Sequence, residues 1–270
     1  MPVNLRRHCW HENRPRRRAA RASSSGAIDA PLLNPCSAGQ PCPNRLDMTN
    51  TLLPRIEIES APQPTAAVIW LHGLGADGND FAALVPELDL RACPPIRFVF
   101  PHAPSMPVTL NGGYVMPAWY DIRGTDLVSR QDVAGIQKSA LVIAALIEHE
   151  AARGIPYQRI VLAGFSQGSA MALHTGLRFK QRLAGLMALS GYLPLADTFA
   201  AERSAANACT PIFMAHGSQD PVVAPARGEA SRDLLLSLGY PVQWHSYPMP
   251  HSVHPREVAD ISLFLADVLG

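Results

Sequence analysis

From residue 54 onward, short and nearly unbroken apolar runs alternate with longer stretches whose apolar positions recur at helical spacing. The runs at 54–60, 66–71 (AAVIWL), 96–100 (IRFVF), 159–163 (RIVLA), 184–189 (AGLMAL), 211–215 (PIFMA) and 242–247 (VQWHSY) have strand character. Helical stretches fall at 77–88 (DGNDFAALVPEL), where Asp77 or Asn79 can cap the first turn, at 127–153, after Ser166, at 225–238, and at 255–269 with Pro255 in its first turn. Strands that are apolar on both sides belong to a sheet covered on both faces, and their alternation with helices makes that sheet parallel. The expected fold class is therefore α/β, a mostly parallel central sheet with helices on both faces. Ligands of such sheets bind beyond the carboxyl ends of the strands, which directs attention to the loops there.

Composition narrows the picture. Of 270 residues, 47% are apolar and 17% charged, enough to bury one large core. Neither an internal repeat nor a second core is visible, so residues 48–270 are expected to form a single domain. Residues 1–47 differ: they carry eight arginines and no lysine against three acids, a net charge of +5, and show no helical or strand period. An acid-poor, Arg- and Ser-rich leader has the composition of an organelle transit peptide, but its prolines interrupt any amphipathic helix and it lacks a secretory apolar segment. The plainer expectation is a disordered, dispensable or untranslated leader, because MTNTLLPRIEIES from Met48 reads as a natural start followed by a strand. The rest of the chain is about −4, so its body offers no basic surface for nucleic acid. Five cysteines without a C-x-x-C pair favour a reduced, cytoplasmic compartment over a disulfide framework. No apolar run reaches the ~18 residues of a membrane span, so stable membrane insertion is not expected.

Residues 164–170, GFSQGSA, stand between a strand run and a helical run. A strand that becomes a helix within about two residues needs a sharp turn, which Gly164 and Gly168 permit, and Ser166 then projects from the top of the sheet. Alone, G-x-S-x-G is a weak pattern that a glycine-rich loop with an incidental serine also satisfies. A serine hydroxyl needs a base within reach and a third group to orient that base. Asp220, in AHGSQDPVV, follows the strand PIFMA; His251, in YPMPHSVHP, lies between the last strand and the last helix. The order Ser, Asp, His, each beyond a different strand, is that of the α/β-hydrolase arrangement. The plainer readings are that Asp220 starts a turn before Pro221 and that His254, the rival of His251, begins the final helix ahead of Pro255. His245 and His174, within a strand and a helix, read as packing or surface residues.

Acyl transfer also needs donors for the developing oxyanion, each contributing about 3 kcal/mol. The backbone N–H of Gln167 is available as the residue after the serine, and the second donor is expected in LHGLGADG, at Leu74. His72 and Gly73 also fit a plain strand-to-helix turn. The long segment PHAPSMPVTLNGGYVMPAWYD shows no clear period, and segments of this kind inside domains are usually functional or mobile. Leu110, Met116 and Trp119 within it, with Val222, are candidate walls of a substrate groove, although Trp119 and Tyr120 also suit the core. Metal binding is not expected, since no pair of histidines or pair of carboxylates near the site has helical i, i+4 spacing.

Taken together, LHGLGADGND, PVTLNGGYVMPAWYDI, GFSQGSAMAL, GSQDPVV and YPMPHSV give the chain from about Met48 to Gly270 a resemblance to the phospholipase/carboxylesterase family, which includes bacterial carboxylesterases and acyl-protein thioesterases. The resemblance implies an α/β-hydrolase fold, Ser166, Asp220 and His251 as a catalytic triad, and Leu74 and Gln167 as oxyanion donors. It also implies hydrolysis of carboxylic esters without metal or organic cofactor, with an acyl-protein thioesterase or lysophospholipase as the alternative. Expected partners are a small ester or acyl thioester substrate and, at most, a second copy of the chain in a homodimer. Ser169 departs from the glycine common in the family at that position, and little effect is expected.

Overall fold

The computed structural model describes residues 52–124, 126–127 and 130–270. The expected leader, residues 1–47, lies outside them. Among the described residues the strands are β1 (Arg55–Glu59), β2 (Ala66–Leu71), β3 (Ile96–Pro101), β4 (Ser105–Val108), β5 (Tyr114–Pro117), β6 (Ile160–Phe165), β7 (Gly185–Leu189), β8 (Ile212–Gly217) and β9 (Val242–Tyr247). The helices are α1 (Asn79–Ala82), α2 (Val133–Ala152), α3 (Gln167–Arg178), α4 (Ala196–Glu202), α5 (Pro225–Ser237) and α6 (Pro255–Leu269). Seven strands make one sheet in the order β1-β3-β2-β6-β7-β8-β9. All neighbours are parallel except the edge strand β1, which runs antiparallel to β3.

Strand β2 shows why an unbroken apolar run marks this architecture. Its side chains alternate between faces, yet every residue is buried. Ala67, Ile69 and Leu71 join a core completed by Ile136, Ile143 and Ile147 of α2 and by Leu173 and Leu177 of α3. Ala66, Val68 and Trp70 face the other way, onto a core that includes Ile261, Phe264 and Leu265 of α6. A sheet covered twice leaves little room for polar side chains in mid-strand, so chemistry is expected at the strand ends and in the loops beyond them.

Three stretches differ from the sequence reading, one of them the short helix α4, which it did not place. The expected helix at 77–88 is a single turn, α1, followed by a 3-10 turn at Val85–Glu87, because Pro86 lacks the N–H that would continue the ladder. Neither Asp77 nor Asn79 is the N-cap, which is Gly78 without a side-chain cap; Asp77 Oδ1 instead accepts from the Asn79 N–H at 2.8 Å in a turn leading into the helix. The segment read as irregular before Asp121 contains the antiparallel hairpin β4–β5, with Val108 paired to Tyr114. Its reversal uses Gly112 and Gly113 at φ of 66° and 81°, and Pro107 and Pro117 within four-residue strands hide the alternation that would have announced it.

The start of α6 holds a buried carboxyl. His254 is its N-cap: Nδ1 accepts from the Arg256 N–H at 3.1 Å, and Glu257 Oε2 accepts from the His254 N–H at 3.2 Å. Glu257 is fully buried with Oε1 unpartnered, and burial pushes its carboxyl up from the ordinary 4.5 to about 7. An acid that keeps a proton in the folded chain while the unfolded chain releases it loses stability as pH rises from 4.5 to about 7, with no further loss above. Glu257→Gln keeps an acceptor oxygen without the charge. The melting temperature of the variant minus that of the wild type is therefore expected to grow between pH 4.5 and 7 and then level off; a difference independent of pH would refute the buried acid.

Candidate active site

The elbow after β6 is built by close approach. A Cβ on Gly164 would lie 2.2 Å from the Gly168 carbonyl carbon, and one on Gly168 would lie 2.2 Å from the Leu71 carbonyl oxygen, so both positions exclude any side chain. Ser166 takes the strained geometry itself, at φ 54° and ψ −116°, which costs a non-glycine residue about 1–3 kcal/mol. Helix α3 begins at the next residue, presenting the Gln167 amide at its N-terminus.

Asp220 follows β8 and its carboxylate is buried. Oδ1 accepts from the N–H groups of Val222 (2.8 Å) and Val223 (2.9 Å), so the turn-forming reading and the orienting one hold together. Oδ2 lies 2.6 Å from His251 Nδ1. A carboxylate only accepts, so Nδ1 carries the proton and Nε2 of the neutral ring is left as an acceptor. The loop bearing His251 is fastened to the Asp220 loop through backbone: the Ser218 N–H donates to the Tyr247 carbonyl at 2.8 Å and the Gln219 N–H to the Met249 carbonyl at 3.1 Å. Gly217 permits this, since a Cβ there would stand 2.4 Å from the carbonyl oxygens of Met249 and Pro250. The His251 ring packs 4.7 Å from that of Phe165, the residue before the serine.

Ser166 and His251 open onto one cavity of about 310 Å³ at the carboxyl edge of the sheet. Leu74 and Gln167, the expected oxyanion donors, line it with Leu110 and Val222 of the expected walls, while Met116 and Trp119 do not. Met116 packs over the backbone at Gly75, where a Cβ would lie 3.5 Å from its sulfur. Trp119 is buried in the core, and its indole Nε1–H donates to the His72 carbonyl at 2.9 Å. The loop that presents Leu74 is braced by the buried His72: Nε2 accepts from the Ala103 N–H at 3.0 Å, which leaves Nδ1–H to donate to the Gly73 carbonyl at 2.7 Å. Burial lowers the pKa of this imidazole, favouring the neutral form these bonds require.

Two features escaped the sequence reading. Gln167 acts with its side chain as well as its amide: Oε1 accepts from the Trp119 N–H at 2.8 Å and Nε2 donates to the Tyr120 carbonyl at 2.7 Å, clamping the segment over the elbow. An amide side chain in the first turn of a buried helix was the available signal. Tyr192, just beyond β7, lines the cavity with Tyr120, their hydroxyls 3.0 Å apart; its place at a strand's carboxyl end was equally legible. His174, read as a packing or surface residue, is buried in α3, and burial holds its pKa down at about 4. Among the described residues no group of three or more His, Cys, Asp or Glu is arranged to hold a metal ion, and no helix is long and apolar enough to cross a membrane.

This sheet, this elbow and this cavity define a serine hydrolase of the α/β-hydrolase fold. The model of the phospholipase/carboxylesterase family matches residues 54–269, and the chain belongs to that family. Among its relatives, acyl-protein thioesterase 1 of Neurospora crassa is 44% identical over 225 residues, covering 80% of this chain and 92% of that protein. The enzyme of the same name from Gibberella zeae is 42% identical over 215 residues, covering 76% and 92%. The crystal structure of Zea mays acyl-protein thioesterase 2 superposes with a TM-score of 0.71 at 31% identity, covering 80% of this chain and 99% of that one.

Proposed function

We propose that this serine hydrolase cleaves carboxylic esters, and acyl thioesters of similar size, by double displacement with Ser166, Asp220 and His251. His251 Nε2 takes the proton of the Ser166 hydroxyl as it attacks the carbonyl carbon, and Asp220 holds the imidazole tautomer and stabilises its charge. The oxyanion rests on the amides of Leu74 and Gln167. His251 then protonates the leaving alcohol or thiol, and water releases the acyl group by the same route in reverse. The observation that carries the reading is the 2.6 Å Asp220–His251 bond beside a cavity that Ser166 shares. The odd cysteine count without paired spacing supports a cytoplasmic enzyme, and residues 48–270 are proposed as its functional domain.

The cavity's size bears on the acyl chain. At about 310 Å³ it lies at the lower end of the range for small-molecule sites, ~300–1,000 Å³. In a series of p-nitrophenyl esters and matched thioesters, kcat/KM is expected to peak at short to medium acyl length and to fall at palmitoyl. A preference of more than about tenfold for the palmitoyl thioester would instead support the second reading, a dedicated acyl-protein thioesterase, which the names of the relatives favour.

A further inference from the structure

Behind the carboxylate of Asp220 lies a second imidazole, that of His216, the penultimate residue of β8. It is 1% exposed. Its Nε2 lies 2.8 Å from the Val223 carbonyl and 3.5 Å from Asp220 Oδ2, the oxygen that holds His251. A carbonyl only accepts, so Nε2 carries the proton and donates it to the Val223 carbonyl, with Asp220 Oδ2 close by at ion-pair distance. Nδ1 is then an acceptor, and it is buried without a partner. Leaving such an atom unpaired costs about 1–3 kcal/mol. An apolar side chain would avoid that cost, which argues that the other nitrogen has a use.

The surroundings hold the ring in place. Trp244 stacks on it with centroids 6.2 Å apart, and a Cβ on Gly228 of α5 would lie 2.5 Å from its Nδ1. So fixed, the Nε2–H ties down the Val223 carbonyl, while the Val223 N–H donates to Asp220 Oδ1 at 2.9 Å. His216, Val223 and Asp220 form a closed ring of contacts that leaves the carboxylate one orientation, with Oδ2 toward His251. Val223 also lines the cavity, so one anchor sets the triad acid and part of the substrate wall.

We infer that His216 is a positioning residue for the reaction, acting through Asp220 and Val223 and touching neither substrate nor Ser166. The inference rests on the triad proposed above. His216→Leu removes the donor, and His216→Gln retains a side-chain N–H. For the leucine variant, kcat on a short-chain ester is expected to fall on the order of 10–100-fold, the usual loss when a supporting contact behind a functional group is removed. KM should move less than about threefold, and the far-downfield proton resonance of His251 Nδ1–H should weaken or vanish; glutamine should recover both kcat and the resonance in part. A folded leucine variant with kcat within twofold of wild type, or an equal loss in both variants, would overturn the inference and leave His216 as packing. Labelling by a fluorophosphonate separates the two levels. If the wild type does not react at Ser166, the triad itself fails; if wild type and leucine variant react at the same rate, only the positioning role fails.

Discussion

Ser166→Ala is expected to lower kcat on any ester substrate on the order of 10⁶-fold, the loss seen when the nucleophile of a triad is removed. The fold should survive, because alanine inherits the φ of 54° and replaces only a hydroxyl at the cavity surface. Ser166→Gly is equally inactive on this reading but gains stability, since glycine accepts the backbone geometry that serine adopts at a cost. The measurements are steady-state kinetics and thermal unfolding on the three proteins together. Retained turnover in a folded alanine variant would sink the nucleophile assignment, and a lower melting temperature for glycine than for alanine would show that the elbow stores no strain.

For Asp220→Asn the expected loss in kcat is about 10⁴-fold, and the cause is the direction of one hydrogen bond. The N–H groups of Val222 and Val223 both point at Oδ1, so an asparagine will turn its carbonyl oxygen to them. Its amide nitrogen then replaces Oδ2 beside His251 Nδ1. Two donors cannot share one bond, so Nδ1 must give up its proton and become the acceptor, moving the proton to Nε2, where the ring can no longer take one from Ser166. Geometry stays and chemistry stops. If Asp220→Asn retains more than about a tenth of wild-type kcat, the imidazole does not depend on the carboxylate and the mechanism is wrong.

The five inner strands of the sheet and the last helix could be read from the sequence because their signal is local: nearly unbroken apolar runs for strands buried on both faces, and Pro255 ahead of a helical period; the edge strands β1 and β9 showed instead a mixture of apolar and polar positions, as half-exposed strands do. That Ser166, Asp220 and His251 lie at one edge was legible for a related reason, since parallel strands send their carboxyl ends to the same edge. The cavity walls were harder. Trp119 and Leu110 look alike in an apolar segment, and only the folded chain shows that the Trp119 indole is drawn inward to the His72 carbonyl while Leu110 stays at the cavity. The β4–β5 hairpin was hidden by prolines, and the Gln167 clamp by distance, as its partners lie 48 and 47 residues away.

That clamp divides the cavity beside Ser166 into two kinds of wall. Leu110 stands at the solvent side, 43% exposed, so exchanging it for larger or smaller groups should alter which acyl chains enter while leaving turnover intact. Tyr120 belongs to the other kind, because its backbone is fastened to the residue that follows the nucleophile. Remodelling that side disturbs the rate along with the choice of substrate, so divergence within such an enzyme has an easy direction and a hard one.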